Sequence, residues 1–416
     1  MSKDLPPQSD TLAEAIPYWK KIVVVLSLGW IAIWIYRTVL TPIYPEIQAS
    51  LGGASDAEIG LIASLYFLAY TCAQIPAGIM VDRVGQRKVL IPGFSCFLVG
   101  AFLVGNADGL TMIYIGSLFA GLGCGSFFSS AYSLSSEHVP LQYRGIATAI
   151  INSGAAFGMA FGLIGSSYLV KNVGVEWHYL LFFIVALLAV IIGLYALILK
   201  NKEPVPKQEP QQAKTPTNQR SVLFSPVMIS AYIMYFATNY GYYMIVTWLP
   251  SYLQLERGFE GFAIGFASAL VAIAAIPGAL YFSRMSDKYR DKKVKFIISL
   301  ELAAAVTLVL TVLAPNTTIL MVSLMLYGLL GKLAVEPIII SFVADNVSKS
   351  GYGTTFSLFN FFGMSSAVIT PYLTGFISDM TGSKVMSFYL SAFFIIVGTC
   401  VFFAINRKKT PELKTA

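Results

Sequence analysis

Twelve long apolar runs divide this chain, separated by short charged or turn-forming stretches. They cover residues 22–47, 57–81, 88–106, 111–136, 142–170, 177–199, 222–252, 260–283, 294–314, 317–343, 353–378 and 385–405. A helix that crosses a bilayer needs roughly 20 apolar residues, and each run supplies about that many. Between the sixth and seventh runs lies the one long polar stretch, residues 201–221, with four prolines and four glutamines. Such a composition makes a poor helix and a good linker. It divides the runs into two sets of six.

Composition agrees. The chain is 56% hydrophobic and 12% charged, whereas a soluble domain carries about 25% charged residues. Twelve spans of about 25 residues use about 300 positions and leave no room for a sizeable soluble head. The expected fold is all-α and polytopic, with twelve transmembrane helices in two pseudo-symmetric six-helix bundles. Its parts are a cytoplasmic tail 1–21, a first bundle 22–200, a cytoplasmic linker 201–221, a second bundle 222–406 and a cytoplasmic tail 407–416.

The net charge of +7 is a matter of topology. Placing the tails, the linker and the loops after even-numbered spans on one side gathers 23 of the 28 basic residues there. Lys171, Arg257 and Lys384 fall on the other side, and Arg37 and Lys332 lie inside spans. The positive-inside rule then makes both termini cytoplasmic, in a cell (inner or plasma) membrane. Some attraction to anionic lipid follows, and no nucleic-acid footprint does. The four cysteines lie in apolar stretches without a C-x-x-C pair and read as small buried hydrophobes. His138 and His178 sit near opposite faces, so no metal site, cofactor or catalytic arrangement is expected, and the chain reads as a non-enzyme.

The halves repeat. A shift of 205 aligns Pro45 with Pro250, Ile59-Gly60 with Ile264-Gly265 and Asp82 with Asp287. A shift of 208 aligns Glu137 with Asp345, Val139 with Val347, Gly145 with Gly353 and Asn152 with Asn360. A parallel repeat of this kind implies a pseudo-two-fold axis along the membrane normal and a site between the halves.

The loop after span 2 reads Gly78-Ile-Met-Val-Asp82-Arg83-Val-Gly85-Gln86-Arg87-Lys88. It resembles the G-x-x-x-D-R-x-G-R-R signature of the major facilitator superfamily. Ser283, Asp287, Lys288, Lys292 and Lys293 make a decayed second copy. Glu137-x6-Arg144 resembles the same superfamily's element after span 4, and its partner keeps Asp345 while Tyr352 replaces the arginine. The resemblance implies alternating access. It also implies that Asp82, Arg83, Arg87, Glu137, Arg144, Asp287 and Asp345 form a cytoplasmic gate that latches when the site faces outward, with Asp82 at the start of span 11.

Span 7, from Asn239 through Trp248 and Pro250 to Tyr252, is similar to the anion:cation symporter branch, whose members carry organic anions. That branch implies an arginine in span 1, where Arg37 stands. Tyr36 occupies the place of an acid that often precedes it. Cys124 occupies the place of a span 4 glutamate common in proton-coupled members.

The membrane-embedded residues carry the chemistry. An arginine near mid-depth costs about 2.5–3.5 kcal/mol on insertion scales, so Arg37 needs a cavity or a partner. No acid lies near its depth in spans 1 to 6. Its planar fork suits a carboxylate, sulfonate or phosphate. Lys332 and Glu336, four apart in span 10, share one helix face. Gly328, Gly331 and Pro337 around them fit a kink or local unwinding. The pair fits three readings: a self-neutralising bridge, a second substrate cation tuned by Glu336, or a coupling carboxyl whose protonation frees Lys332. Tyr66, Tyr70 and Gln74 form one stripe on span 2, and Tyr235, Asn239 and Tyr242 another on span 7, with Tyr242 the repeat equivalent of Arg37. The candidate substrate contacts are therefore Arg37, Tyr36, Tyr66, Tyr70, Gln74, Asn239, Tyr242, Lys332 and Asn360. Asn152 and Asn360, in equivalent places, also fit a packing role, and Glu301 fits snorkelling or a local bond.

The expected function is secondary transport of a small organic anion by a monomer, with protons or a counter-anion as the coupling partner. Alternatives are a drug or metabolite efflux antiporter and a transporter-like ligand sensor. A lone mid-depth arginine disfavours the first, and short tails disfavour the second.

Overall fold

The computed structural model describes residues 17–140, 143–200, 223–289, 292–347 and 352–407. The tail 1–16, the linker 201–222 and the tail from 408 onward lie outside them. Among the described residues the fold is all-α.

Six spans form the first half. Span 1 is Tyr18–Val39, continued by a tight turn Thr41–Ile43 and a short helix Tyr44–Ser50. Span 2 is Asp56–Val84, span 3 Gln86–Gly105, and span 4 Leu110–Gly125 followed by Phe127–His138. Span 5 is Arg144–Ser167 with a terminal wide turn Tyr168–Asn172, and span 6 is Trp177–Ile198. The second half contains span 7, Pro226–Leu255, span 8, Phe262–Lys288, and span 9, Lys293–Leu313. Span 10 is Thr317–Leu330 and Lys332–Asp345, span 11 Tyr352–Thr381, and span 12 Val385–Asn406.

The helices begin where local chemistry favours it. Ser55 and Glu58 make a reciprocal capping box at span 2. Ser225 and Asn316 cap spans 7 and 10 through their side chains. Three spans are broken, two of them expected as continuous and the third, span 10, at the glycine where local unwinding was expected. Span 1 turns at the Thr41-Pro42 step, because proline cannot donate within a helix. Span 4 is interrupted at Ser126 and span 10 at Gly331, whose ψ of −151° lies outside the helical region. Span 1 also starts four residues earlier than expected, with Lys20 and Lys21 inside its first turns.

The two halves pack by the same rules. Span 1 packs on span 5 as span 7 packs on span 11; spans 2 and 4 pair as spans 8 and 10 do; spans 3 and 6 pair as spans 9 and 12 do. Across the halves, span 2 lies along span 11 and span 5 along span 8. The repeated Ile-Gly pair explains these crossings. A Cβ on Gly60 would stand 2.2 Å from the Pro371 carbonyl oxygen, and one on Gly265 would stand 2.2 Å from that of Leu163. Only a residue without a side chain permits such an approach.

Among the described residues, eleven helices are long and apolar enough to cross a membrane, and span 7 is not one of them. It is long enough but too polar, with tyrosines at 232, 235, 240, 242 and 243 and Asn239. Its side chains from Met228 to Leu253 are almost all buried. A helix surrounded by protein needs no lipid-facing apolar surface, so it is free to be polar. The four cysteines are free. Cys124 is buried, but Cys72 and Cys400 are exposed on the bundle surface, contrary to the buried role expected of all four.

Candidate functional site

Arg37 occupies the last helical turn of the first segment of span 1. Its guanidinium carbon lies 5.6 Å from the Trp30 ring centre, 5.0 Å from Trp34, 5.5 Å from Tyr66, 5.4 Å from Phe67 and 4.5 Å from Tyr70. Each such contact is worth about 0.5–2 kcal/mol. Arg37 Nε donates to the Tyr66 hydroxyl at 3.0 Å. None of the ion pairs among the described residues includes Arg37. Its Nη2 is buried and meets no acceptor there, and neither does the Trp34 Nε1 in the same cage. The cage thus holds a positive charge whose hydrogen-bonding capacity is only partly used.

The second half contributes a different arrangement. Lys332 Nζ lies 3.0 Å from Glu336 Oε2, and the Tyr235 hydroxyl donates to Glu336 Oε1 at 2.5 Å. Lys332 also stands 4.9 Å from the centre of the Tyr242 ring. Tyr235 is stacked on Phe359 with 4.0 Å between ring centres. Asn239 is buried and spends its amide N–H on the Tyr235 carbonyl oxygen at 2.7 Å. The Tyr242 and Tyr243 rings lie 5.4 Å apart. The Phe67 and Tyr243 rings meet at 4.8 Å across the halves.

The remaining sequence candidates fall elsewhere. Tyr36 points into the first half, between Tyr66 at 5.7 Å and Phe97 at 5.0 Å, behind the cage rather than inside it. Asn360 Nδ2 donates to Gln74 Oε1 at 3.1 Å, a bond between the halves. Asn152 accepts from the Tyr132 hydroxyl at 2.6 Å. Glu301 does not snorkel to water. It is 1% exposed and accepts a hydrogen bond from Thr238 of span 7. Sequence reasoning missed Trp30, Trp34, Phe67 and Tyr243. The first two were legible, since 30, 34 and 37 follow the i, i+4, i+7 spacing of one helix face.

Cross-half bonds gather at the face opposite the termini. Lys384 Nζ lies 2.8 Å from Asp56 Oδ2. The two Asp379 oxygens each accept a backbone N–H at 2.8 Å, from Asp56 and Ala57 at the start of span 2. Lys171 pairs with Glu46 and donates to Gln254 at 2.8 Å. Ser167 donates to the Gly261 carbonyl oxygen at 2.7 Å. Toward the terminal face, the Gln74–Asn360 bond is the one hydrogen bond between halves among the described residues.

Of the expected gate residues, the five with described side chains make no bond to the other half among the described residues. Asp82, Arg83 and Glu137 are exposed. Arg87 donates to the Ala196 carbonyl oxygen at 2.8 Å, within the first half. Asp345 pairs with Lys293, within the second half. The side chains of Arg144 and Asp287 lie outside the described residues.

Twelve spans in two equivalent halves, closed at one face around a ring-lined charged site, define a membrane transport protein and not an enzyme. The description of the Major Facilitator Superfamily matches residues 26–371 and 262–416, and the chain belongs to that family. It is 24% identical over 406 residues to the Hexuronate transporter of Bacillus subtilis (strain 168), covering 92% of each chain. It is 24% identical over 370 residues to the Probable galactarate/D-glucarate transporter GudP of Escherichia coli (strain K12), covering 80% of this chain and 81% of that one. In fold it is similar to a bacterial homologue of the human lysosomal transporter Spinster in an inward-facing, unoccupied conformation. The TM-score is 0.79 at 15% identity, over 94% of this chain and 98% of that one.

Proposed function

We propose that this transporter moves a small organic anion bearing a carboxylate, by alternating access, and that Arg37 holds the carboxylate. One observation carries this reading: a guanidinium caged by five aromatic rings of spans 1 and 2, with no carboxylate partner among the described residues and a buried donor unspent. A planar fork of this kind binds carboxylates bidentately. The printed names of the two sugar-acid relatives support the same substrate class. An efflux antiporter of cationic compounds would need a free acid at the site, and the Glu336 carboxylate is engaged at both oxygens.

Alternating access is supported by the one-sided closure. With both termini cytoplasmic, as the basic residues indicate, the closed face is the outer one. The protein then works as a monomer in the cell membrane. It is driven by proton symport or by exchange for another anion. The test is uptake of hexuronates and related acids into vesicles containing the purified protein. Arg37→Lys keeps the charge but loses the fork, and uptake is expected to fall at least about tenfold. Unchanged uptake by that variant would exclude Arg37 as the anion site.

A further inference from the structure

Counting charge at the site separates two kinds of organic acid. Among the described residues, Arg37, Lys332 and Glu336 are the charged groups of the site; Glu301 is buried and bonded to Thr238. Lys332 is neutralised by Glu336 at 3.0 Å, and its side chain is only 11% exposed. Glu336 is held on its other oxygen by Tyr235 at 2.5 Å. Lys332 is held a second time, against the Tyr242 ring. The pair therefore contributes no free cation, and Arg37 supplies a single uncompensated positive charge.

We propose that the site accepts one negative charge, taking polyhydroxy monocarboxylates and refusing the matching dicarboxylates, and that Glu336 sets this limit by keeping Lys332 engaged. A monocarboxylate on Arg37 brings the site to neutrality. Its hydroxyls then face Tyr242 and Tyr243, which bridge the two charged positions: the Tyr242 ring stands 4.9 Å from Lys332, the two tyrosine rings lie 5.4 Å apart, and Tyr243 meets Phe67 of the Arg37 cage at 4.8 Å. A second carboxylate reaching toward span 10 meets the Glu336 carboxylate. It could gain Lys332 only by breaking a bridge that already satisfies both partners. A buried charge without a partner is strongly disfavoured, and a like charge beside it more so. Glu336 thus acts as a repulsive element against the wrong substrate, alongside the attractive Arg37. The relatives named for hexuronate and for galactarate and glucarate differ in this same property, one carboxylate against two.

This inference rests on the organic-anion reading above. The test uses the purified full-length protein and two probes of equal carbon number, glucuronate and glucarate, in binding titrations at neutral pH. The wild-type protein is expected to bind glucuronate at least about tenfold more tightly than glucarate. Glu336→Gln removes the repelling charge and frees Lys332, and is expected to tighten glucarate binding at least about tenfold. Glucarate binding as tightly as glucuronate in the wild type would overturn the proposal without need of a variant. A folded Glu336→Gln protein with unchanged glucarate affinity would overturn the role of Glu336. If neither probe binds, the organic-anion reading itself fails and takes this inference with it.

Discussion

At the scale of single residues, an arginine in the membrane requires compensation, and Arg37 finds it in π-faces rather than in an acid. That leaves its charge available to a ligand, which a salt bridge would not. Tyr66 supplies the acceptor for Nε. Tyr66→Phe keeps the ring and removes the acceptor, so it is expected to destabilise the protein by about 1 kcal/mol. It should also weaken anion binding several-fold, as read by a titration of the purified variant. Glu301 gives a second test. Thr238→Val strips the donor from a buried carboxyl and is expected to cost about 1–3 kcal/mol in thermal unfolding. Glu301→Gln keeps an acceptor for Thr238 and should cost less. The reverse order would mean that the Glu301 charge is structural. Arg37 and Tyr66 were legible in the sequence because a charge and a hydroxyl stripe stand out against apolar spans. The surroundings of Glu301 were not, because only packing shows which helix face turns inward.

Among the elements, spans 7 and 10 show what a pattern can and cannot tell. The break at Gly331 was foreshadowed by its glycine and proline neighbours. The breaks in spans 1 and 4 are not marked by hydropathy: Pro42 sits within a continuous apolar run, and Ser126 carries no strong breaker signal. Span 7 was found from its length and flanking charges, although its tyrosines and asparagine make it too polar to qualify by hydropathy. Its burial among its neighbours resolves that conflict. The Ile-Gly repeat was visible as an alignment, but its purpose at the span 2–11 and span 5–8 crossings needed the packing. Gly60→Ala places a Cβ against the Pro371 carbonyl and is expected to disfavour the closed face by roughly 1–3 kcal/mol. Ser251→Cys, at a position 1% exposed near that face, in a background without the four native cysteines, reports the change. Its labelling by a bulky maleimide should accelerate when Gly60→Ala is added.

For the whole molecule, the arrangement of cross-half bonds suggests an exchange of latches. The start of span 2 is capped by Asp379 from the other half, a carboxylate favoured by the helix dipole. The signature residue Asp82, at the opposite end of the same span, is exposed. Combining Asp379→Asn with Lys384→Ala removes two charged holds on the closed face, and maleimide labelling at Ser251→Cys is expected to rise further than with either alone. Unchanged labelling would mean that the close glycine crossings alone keep that face shut. These contacts surround the site where Arg37 is proposed to hold the substrate. The most direct measurement is a structure determined by electron cryomicroscopy with a bound hexuronate. The carboxylate is expected within hydrogen-bonding distance of the Arg37 guanidinium, with Tyr70 and Tyr243 beside it. A hexuronate bound elsewhere between the halves, with Arg37 making only its contacts to Tyr66 and the rings, would contradict it.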